Sequence, residues 1–353
     1  MRSHPFRTLT LRTLGLVAGV LLLLVTLTGS IKWGLTQVGW QTLLNAFQTP
    51  EPTQVELVIL NTRLPRALIA LCVGASLAMA GALMQALTRN PLASPGIFGI
   101  NAGAAFAVVA AAAFFSVASF QAYTWVAFAG AAISGLIVYG LGSAGRTGLT
   151  PLKLTLAGAA MTAFFSTLTQ GVLVTDETTL EEVLFWLSGS IVGRSLQSLT
   201  TVLPFFIAAW ALTFALSRPV TTLLMGENVA RGLGQRTGWV KFLSALCVML
   251  LAGGAVAVAG PIGMVGLVVP HIARFLVGND YRWLLPYCAL LGGSFLLLAD
   301  IGARYLIMPG GPVAELLAGT AARVLSDEVP VGIITALIGV PFFITIARRS
   351  VSE

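Results

Sequence analysis

Ten apolar stretches run through the chain, and its charged side chains fall almost entirely in the links between them. They cover 12–29, 64–87, 95–116, 121–141, 152–173, 197–216, 239–259, 262–276, 284–301 and 331–347. An apolar run of about 18 to 20 residues is what a helix needs to cross the hydrocarbon core of a bilayer. Water cannot be the solvent for such a chain. Only 9% of its residues are charged and 57% are apolar, whereas an ordinary soluble domain carries about 25% charged residues. The expected fold is an all-α polytopic membrane protein with ten transmembrane helices, residues 1–353 forming one transmembrane domain. The first stretch follows Arg2, Arg7 and Arg12, and no small-x-small cleavage pattern succeeds Gly29-Ser30. It therefore reads as a retained anchor rather than a signal peptide.

The reactive residues exclude most chemistry. Cys72, Cys247 and Cys288 sit far apart inside apolar runs, and His4 and His271 cannot form a helical zinc pair. No Gly-Lys dipeptide occurs, so there is no Walker A phosphate loop. The chain is expected to hold no catalytic residue, no metal and no cofactor. Its net charge of +7 does not call for nucleic acid, because the charges sort by side. With the amino terminus in the cytoplasm, 14 of the 20 basic residues fall inside and ten of the 13 acidic residues fall outside. That asymmetry satisfies the positive-inside rule and predicts both termini in the cytoplasm.

Four features carry more information. Ala70, Gly74, Ala78 and Ala82 recur at every fourth position, which gives the second span a small-residue face against which another helix can pack closely. The stretch from Gly260 to Arg274 contains two prolines and three glycines and predicts a short, broken helix. Segment 218–238 has no apolar span, yet its Leu and Val spacing predicts two short helices outside the bilayer, available to a cytoplasmic partner. Glu227, Ala230 and Gly234, with Gly226 and Gly232 beside them, fall in the order of the motif by which importer permeases present a coupling helix to an ATPase. Finally, Arg63 and Arg66 open the second span on the side that otherwise carries acids. Either the arginines anchor the helix at the headgroups, or they form a docking site for carboxylates of an external partner. Gln85, Asn101, Thr162, Ser166 and Gln170 are polar residues within apolar spans, candidates for interhelical bonding or for lining a path.

Together these segments resemble the FecCD family, permeases of ATP-binding-cassette importers for ferric siderophores, ferric citrate, haem and cobalamin. The resemblance rests on Arg63-Leu64-Pro65-Arg66, the run Gly81 to Ala93, Gly99-Ile100-Asn101-Ala102-Gly103, Trp186-Leu187-Ser188-Gly189-Ser190, Gly260 to Arg274, Ala299 to Arg304 and Val329 to Phe343. It implies the type II importer fold, a second permease subunit (an identical copy or a paralogue), two cytoplasmic ATP-binding subunits that hydrolyse ATP, and an external substrate-binding protein. It also implies that Arg63, Arg66 and Arg304 meet glutamates of the binding protein, that Gly226, Glu227, Ala230, Gly232 and Gly234 belong to the ATPase coupling segment, and that the cytoplasmic gate lies near Thr150 and Pro151. The chain departs from the family in its connection over 302–329, where Pro309-Gly310-Gly311-Pro312 and Val313 to Leu325 predict an additional short external helix.

The implied setting is the cytoplasmic membrane of a prokaryote, with alternating access driven by the partner ATPases. An ion-coupled secondary transporter is the rival reading. It would need acids within the spans, and here every Asp and Glu is expected in a link or at a span end.

Overall fold

The computed structural model describes residues 5–6, 8–34, 38–49, 52–115, 117, 119–145, 148–305 and 328–351. The described residues form helices and links. In chain order the helices are α1 (Leu9–Lys32), α2 (Trp40–Asn45), α3 (Gln54–Val58), α4 (Leu64–Thr88), α5 (Ile100–Phe115), α6 (Phe120–Ser143), α7 (Pro151–Thr175), α8 (Glu177–Leu187), α9 (Leu196–Ala215), α10 (Ser217–Leu224), α11 (Glu227–Gly232), α12 (Thr237–Ala259), α13 (Val265–Val277), α14 (Tyr281–Tyr305) and α15 (Val331–Val351). Among the described residues, seven helices are long and apolar enough to cross a membrane, and α5, α13 and α15 contribute shorter apolar segments. These ten coincide with the ten predicted spans. The external helix expected over Val313 to Leu325 lies outside the described residues.

The differences from the expected boundaries have local causes. The third span starts late because Pro95–Phe98 forms a 3-10 turn that Gly99 closes at φ +65°, so the α-helix begins at Ile100. The broken stretch is a real interruption: α12 ends at Gly260, Met264 adopts φ +66°, and α13 starts at Val265. With 13 residues, α13 is about 20 Å long, less than the hydrocarbon thickness. Its irregular approach is covered by protein, since a Cβ on Gly260 would lie 2.3 Å from the Trp186 carbonyl oxygen. Such cover is the condition under which non-helical backbone survives in a membrane. A π-turn over Ile59–Arg63 joins α3 to α4, an element that apolar periodicity does not predict.

Helix α4 is the post of the bundle and is buried along nearly its whole length. Ala70, Gly74, Ala78 and Ala82 all lie within it. A Cβ on Gly74 would stand 2.3 Å from the Gly292 carbonyl oxygen on α14, and one on Gly81 only 1.8 Å from the Gly266 carbonyl oxygen on α13. The backbones are in direct contact at both places, a packing that dispersion favours where water cannot drive helices together. By contrast, α1, α6, α7 and α15 leave large apolar side chains exposed, among them Leu21, Ile133, Leu156 and Leu337.

Substituting Gly81→Val should therefore force α4 away from α13 and destabilise the protein by at least about 1 to 3 kcal/mol. Gly140→Ala in α6, where a Cβ would meet nothing within 4 Å, should leave it unchanged. Thermal unfolding of the detergent-purified variants checks this, and equal midpoints would refute the contact.

Candidate functional site

At one end of the bundle, two of the three predicted arginines, Arg63 and Arg304, reach the end of α1, and the third, Arg66, joins Arg304 at Asp300. A helix ends with carbonyl oxygens that have no partner in the helix and carry the negative end of its dipole. Here guanidinium groups supply the partners. Arg63 Nη1 donates to the carbonyls of Lys32 (2.8 Å) and Ile31 (3.3 Å), and Arg304 Nη1 donates to those of Ser30 (2.9 Å) and Trp33 (3.1 Å). Arg304 also bonds Ser30 Oγ at 2.6 Å and pairs with Asp300 one turn earlier on α14. Arg66 pairs with Asp300 at 2.8 Å and with Glu328.

Asp300, expected at a span end, instead lies a turn inside α14 and is fully buried. An isolated carboxylate there would be prohibitive, and two guanidiniums make it tolerable. The arginines come together as their shared side predicted, but each is no more than 6% exposed and their charge is engaged inside the chain. Sequence reasoning missed Asp300 and Glu328 as counter-ions. The four-residue spacing of Asp300 and Arg304 on one helix was a usable signal, whereas the pairing of Arg66 with residues on other elements was not.

At the opposite end, α10 and α11 form the segment between α9 and α12. Gly226 takes φ +125°, a conformation closed to other residues, and lets the chain turn from α10 into α11. Gly234, at φ +80°, ends the segment, Gly232 closes α11, and Ala230 is fully buried beneath it. Glu227 is the fastener. Its carboxylate accepts from Arg231 Nη2 (2.7 Å), Thr237 Oγ1 (3.3 Å) and Lys241 Nζ (2.7 Å), which ties α11 to the start of α12. The hydrogen bond from Lys241, helped by the nearby charges of Lys241 and Arg231, holds the Glu227 carboxyl below the usual carboxylate range. A depressed pKa contributes stability above the unfolded-state value and loses it as pH falls through the folded-state value, so the fastening persists at neutral pH. Met225, Val229 and Leu233 of this segment are 66%, 50% and 70% exposed.

Thr150 caps α7 by accepting from the Lys153 backbone N–H at 3.4 Å, with Pro151 at the first helical position. Both sit at the same end of the bundle as α10 and α11, since Lys241 Nζ donates to the Leu149 carbonyl at 3.3 Å. The polar residues of the spans divide into two groups. Gln85 is buried and its Oε1 accepts from Arg274 Nη2 at 2.8 Å. The two border a cavity of about 740 Å³ with Arg89, Asp280 and Arg282 beside α10. Asn101 is half-buried on α5. Thr162 and Ser166 are half-buried and Gln170 exposed on α7, a helix little covered by the rest of the chain.

Among the described residues the chain is a helical bundle with buried ion pairs at one end and a segment of two short helices at the other, and seven of its helices are long and apolar enough to cross a membrane, as a multi-pass membrane protein requires. The FecCD transport family matches residues 21–319, and the chain belongs to that family. It is 54% identical over 334 residues, 95% of each chain, to a probable siderophore transport system permease protein, YfiZ, of Bacillus subtilis. It is 40% identical to the ferric enterobactin transport system permease protein FepD of Escherichia coli, over 94% of this chain and 95% of that one. A solved structure of a metal-chelate type ABC transporter in an inward-facing conformation superposes with a TM-score of 0.78 at 29% identity, covering 96% of this chain and 99% of the other.

Removing the charge of Arg66 (Arg66→Met) should leave Asp300 and Glu328 undercompensated and cost about 3 to 5 kcal/mol. Arg282→Gln, at an exposed pair with Asp280, should leave stability unchanged. Comparative thermal unfolding in detergent decides, and an unaffected Arg66→Met protein would contradict the buried cluster.

Proposed function

We propose that this chain is one of two permease subunits of a binding-protein-dependent ABC importer and forms the membrane path for a ferric-siderophore-type iron complex. The observation that carries the substrate class is the naming of its relatives. The permeases at 54%, 45%, 41% and 40% identity are named for siderophore, ferric citrate, ferric hydroxamate and ferric enterobactin transport. A second reading, cobalamin, is favoured by one relative at 36% identity over 91% of this chain, the cobalamin import permease BtuC of Halobacterium salinarum.

In this reading α10 and α11 are the coupling segment. The exposed apolar residues Met225, Val229 and Leu233 supply the surface on which a cytoplasmic ATP-binding subunit seats, with Glu227, Ala230 and the glycines holding its shape. ATP binding draws two such subunits together, and the segment carries the motion to the link at Thr150 and Pro151, which opens and closes the cytoplasmic side. Alternating access requires only differential contacts in two states, and no chemistry within this chain. Thr162, Ser166 and Gln170 on the uncovered α7 line the path or face the second permease subunit, as does Asn101 on α5. The external binding protein docks over the end that carries Arg63, Arg66 and Arg304. Because Arg66 already holds Glu328, a carboxylate of that partner reaches it by displacing Glu328.

Iron uptake tests the substrate class. A strain lacking this chain should fail to accumulate ferric hydroxamate, catecholate or citrate complexes and recover on complementation, with cobalamin uptake unchanged. Restoration of cobalamin uptake alone would select the second reading. Replacing Val229 and Leu233 together by Asp should abolish co-purification of the ATP-binding subunit while the permease remains inserted. A thiol at Ser350→Cys should resist an impermeant maleimide in intact cells and react after lysis, as cytoplasmic termini require. Reaction in intact cells would reverse the orientation.

A further inference from the structure

We infer that Lys241 is the positioning residue that transmits movement of the coupling segment to the amino-terminal end of α7. This inference rests on the reading of α10 and α11 as the coupling segment and identifies the side chain through which it acts. Lys241 lies in the first two turns of α12, belongs to neither the coupling segment nor the gate link, and touches both. Its ammonium has three donors. One reaches Glu227 Oε2 at 2.7 Å and another the Leu149 carbonyl at 3.3 Å. Leu149 immediately precedes Thr150, the cap of α7, and Pro151, its first residue.

The charges around the ammonium are arranged for transmission. Glu227 is gripped from three sides, by Arg231, Thr237 and Lys241, so a displacement of α11 moves its carboxylate as part of a rigid group. The Lys241 side chain is 16% exposed, and burial along the stem limits the freedom that an exposed lysine would use to absorb the displacement. Its longer bond, to Leu149, is the weaker one. A shift of the carboxylate by about 1 Å either drags the Leu149 carbonyl or breaks that bond, which at 3.3 Å is already at the long end of hydrogen-bond distances. Both results change the position of the link before α7. At the same end of α7, Lys153 Nζ donates to the Ala144 carbonyl at 2.8 Å, which ties the first turn of α7 back to the end of α6.

The test uses the complete importer in proteoliposomes, with a reporter thiol at Leu152→Cys, an exposed position in the first turn of α7. The three native cysteines are buried. The readout is the rate of labelling by a hydrophilic maleimide, with and without ATP and vanadate, beside the rate of ATP hydrolysis. With Lys241 present, ATP should change the labelling rate at least threefold. In Lys241→Met complexes that contain the ATPase and hydrolyse ATP, the ATP-dependent change in labelling should disappear. Lys241→Arg, which keeps a charged donor for both partners, should restore most of the change. A Lys241→Met complex that retains the full ATP-dependent change overturns the inference, as does a parent complex that hydrolyses ATP without any change at Leu152→Cys. Failure of the parent chain to associate with an ATPase would instead overturn the coupling reading itself. If Lys241→Met proves unstable, Lys241→Gln supplies the neutral variant, and the same two outcomes apply.

Discussion

Direct backbone contact between α4 and its neighbours is the constraint on which the rest of the bundle depends. In lipid the apolar surfaces of helices gain little by meeting one another, so association relies on close approach. Gly74 against Gly292 and Gly81 against Gly266 provide it, with gaps that no Cβ could enter. Fixing α4 in this way fixes both ends of the molecule. Arg63 and Arg66 flank its beginning, and Gln85, bonded to Arg274 of α13, lies near its end. The ion cluster and the region beside α10 are thus mounted on one helix.

The two ends use charge differently. Around Asp300 three buried arginines meet two carboxylates, and Arg63 and Arg304 are tied to the carbonyls that end α1. Such a cluster is costly to break and gives little net stability compared with an apolar core, but it sets the positions of α1, α4 and α14 relative to one another. Around Glu227 the charges are half-exposed and join elements through single side chains. Interactions of this second kind carry a displacement from one element to the next, which suits a junction that must move.

Much of the fold was legible in the sequence, for a simple reason. A bilayer span is a long apolar run with no alternative in water, and all ten runs became helices at nearly their predicted places. The breaks at Gly260 and Pro261 were legible too, because Pro and Gly act locally. What escaped was non-local or too short for periodicity: the π-turn over Ile59–Arg63, the helices α2, α3 and α8, and the partners of the site residues. Arg66 and Asp300 are 234 residues apart, and nothing in either neighbourhood marks them as a pair. The arginines were recognisable as functional candidates by standing against the charge bias of their side. Their burial was not, because burial depends on where the end of α1 falls. Likewise Glu227 could be picked out by its spacing from Ala230 and Gly234, but Lys241 looked like one more basic residue at a span boundary.

The account holds that transport is powered through α10 and α11 by ATP and not by an ion gradient through the spans. Asp300, the acid deepest within a described span, is paired with two arginines, so its carboxylate is engaged in the cluster that ties α4 to α14. The most direct measurement is accumulation of a ferric siderophore by proteoliposomes containing the assembled importer, with ATP and a proton or sodium gradient supplied separately. The account predicts accumulation with ATP and no gradient, and none with a gradient and no ATP. Accumulation driven by either gradient in the absence of ATP would contradict it.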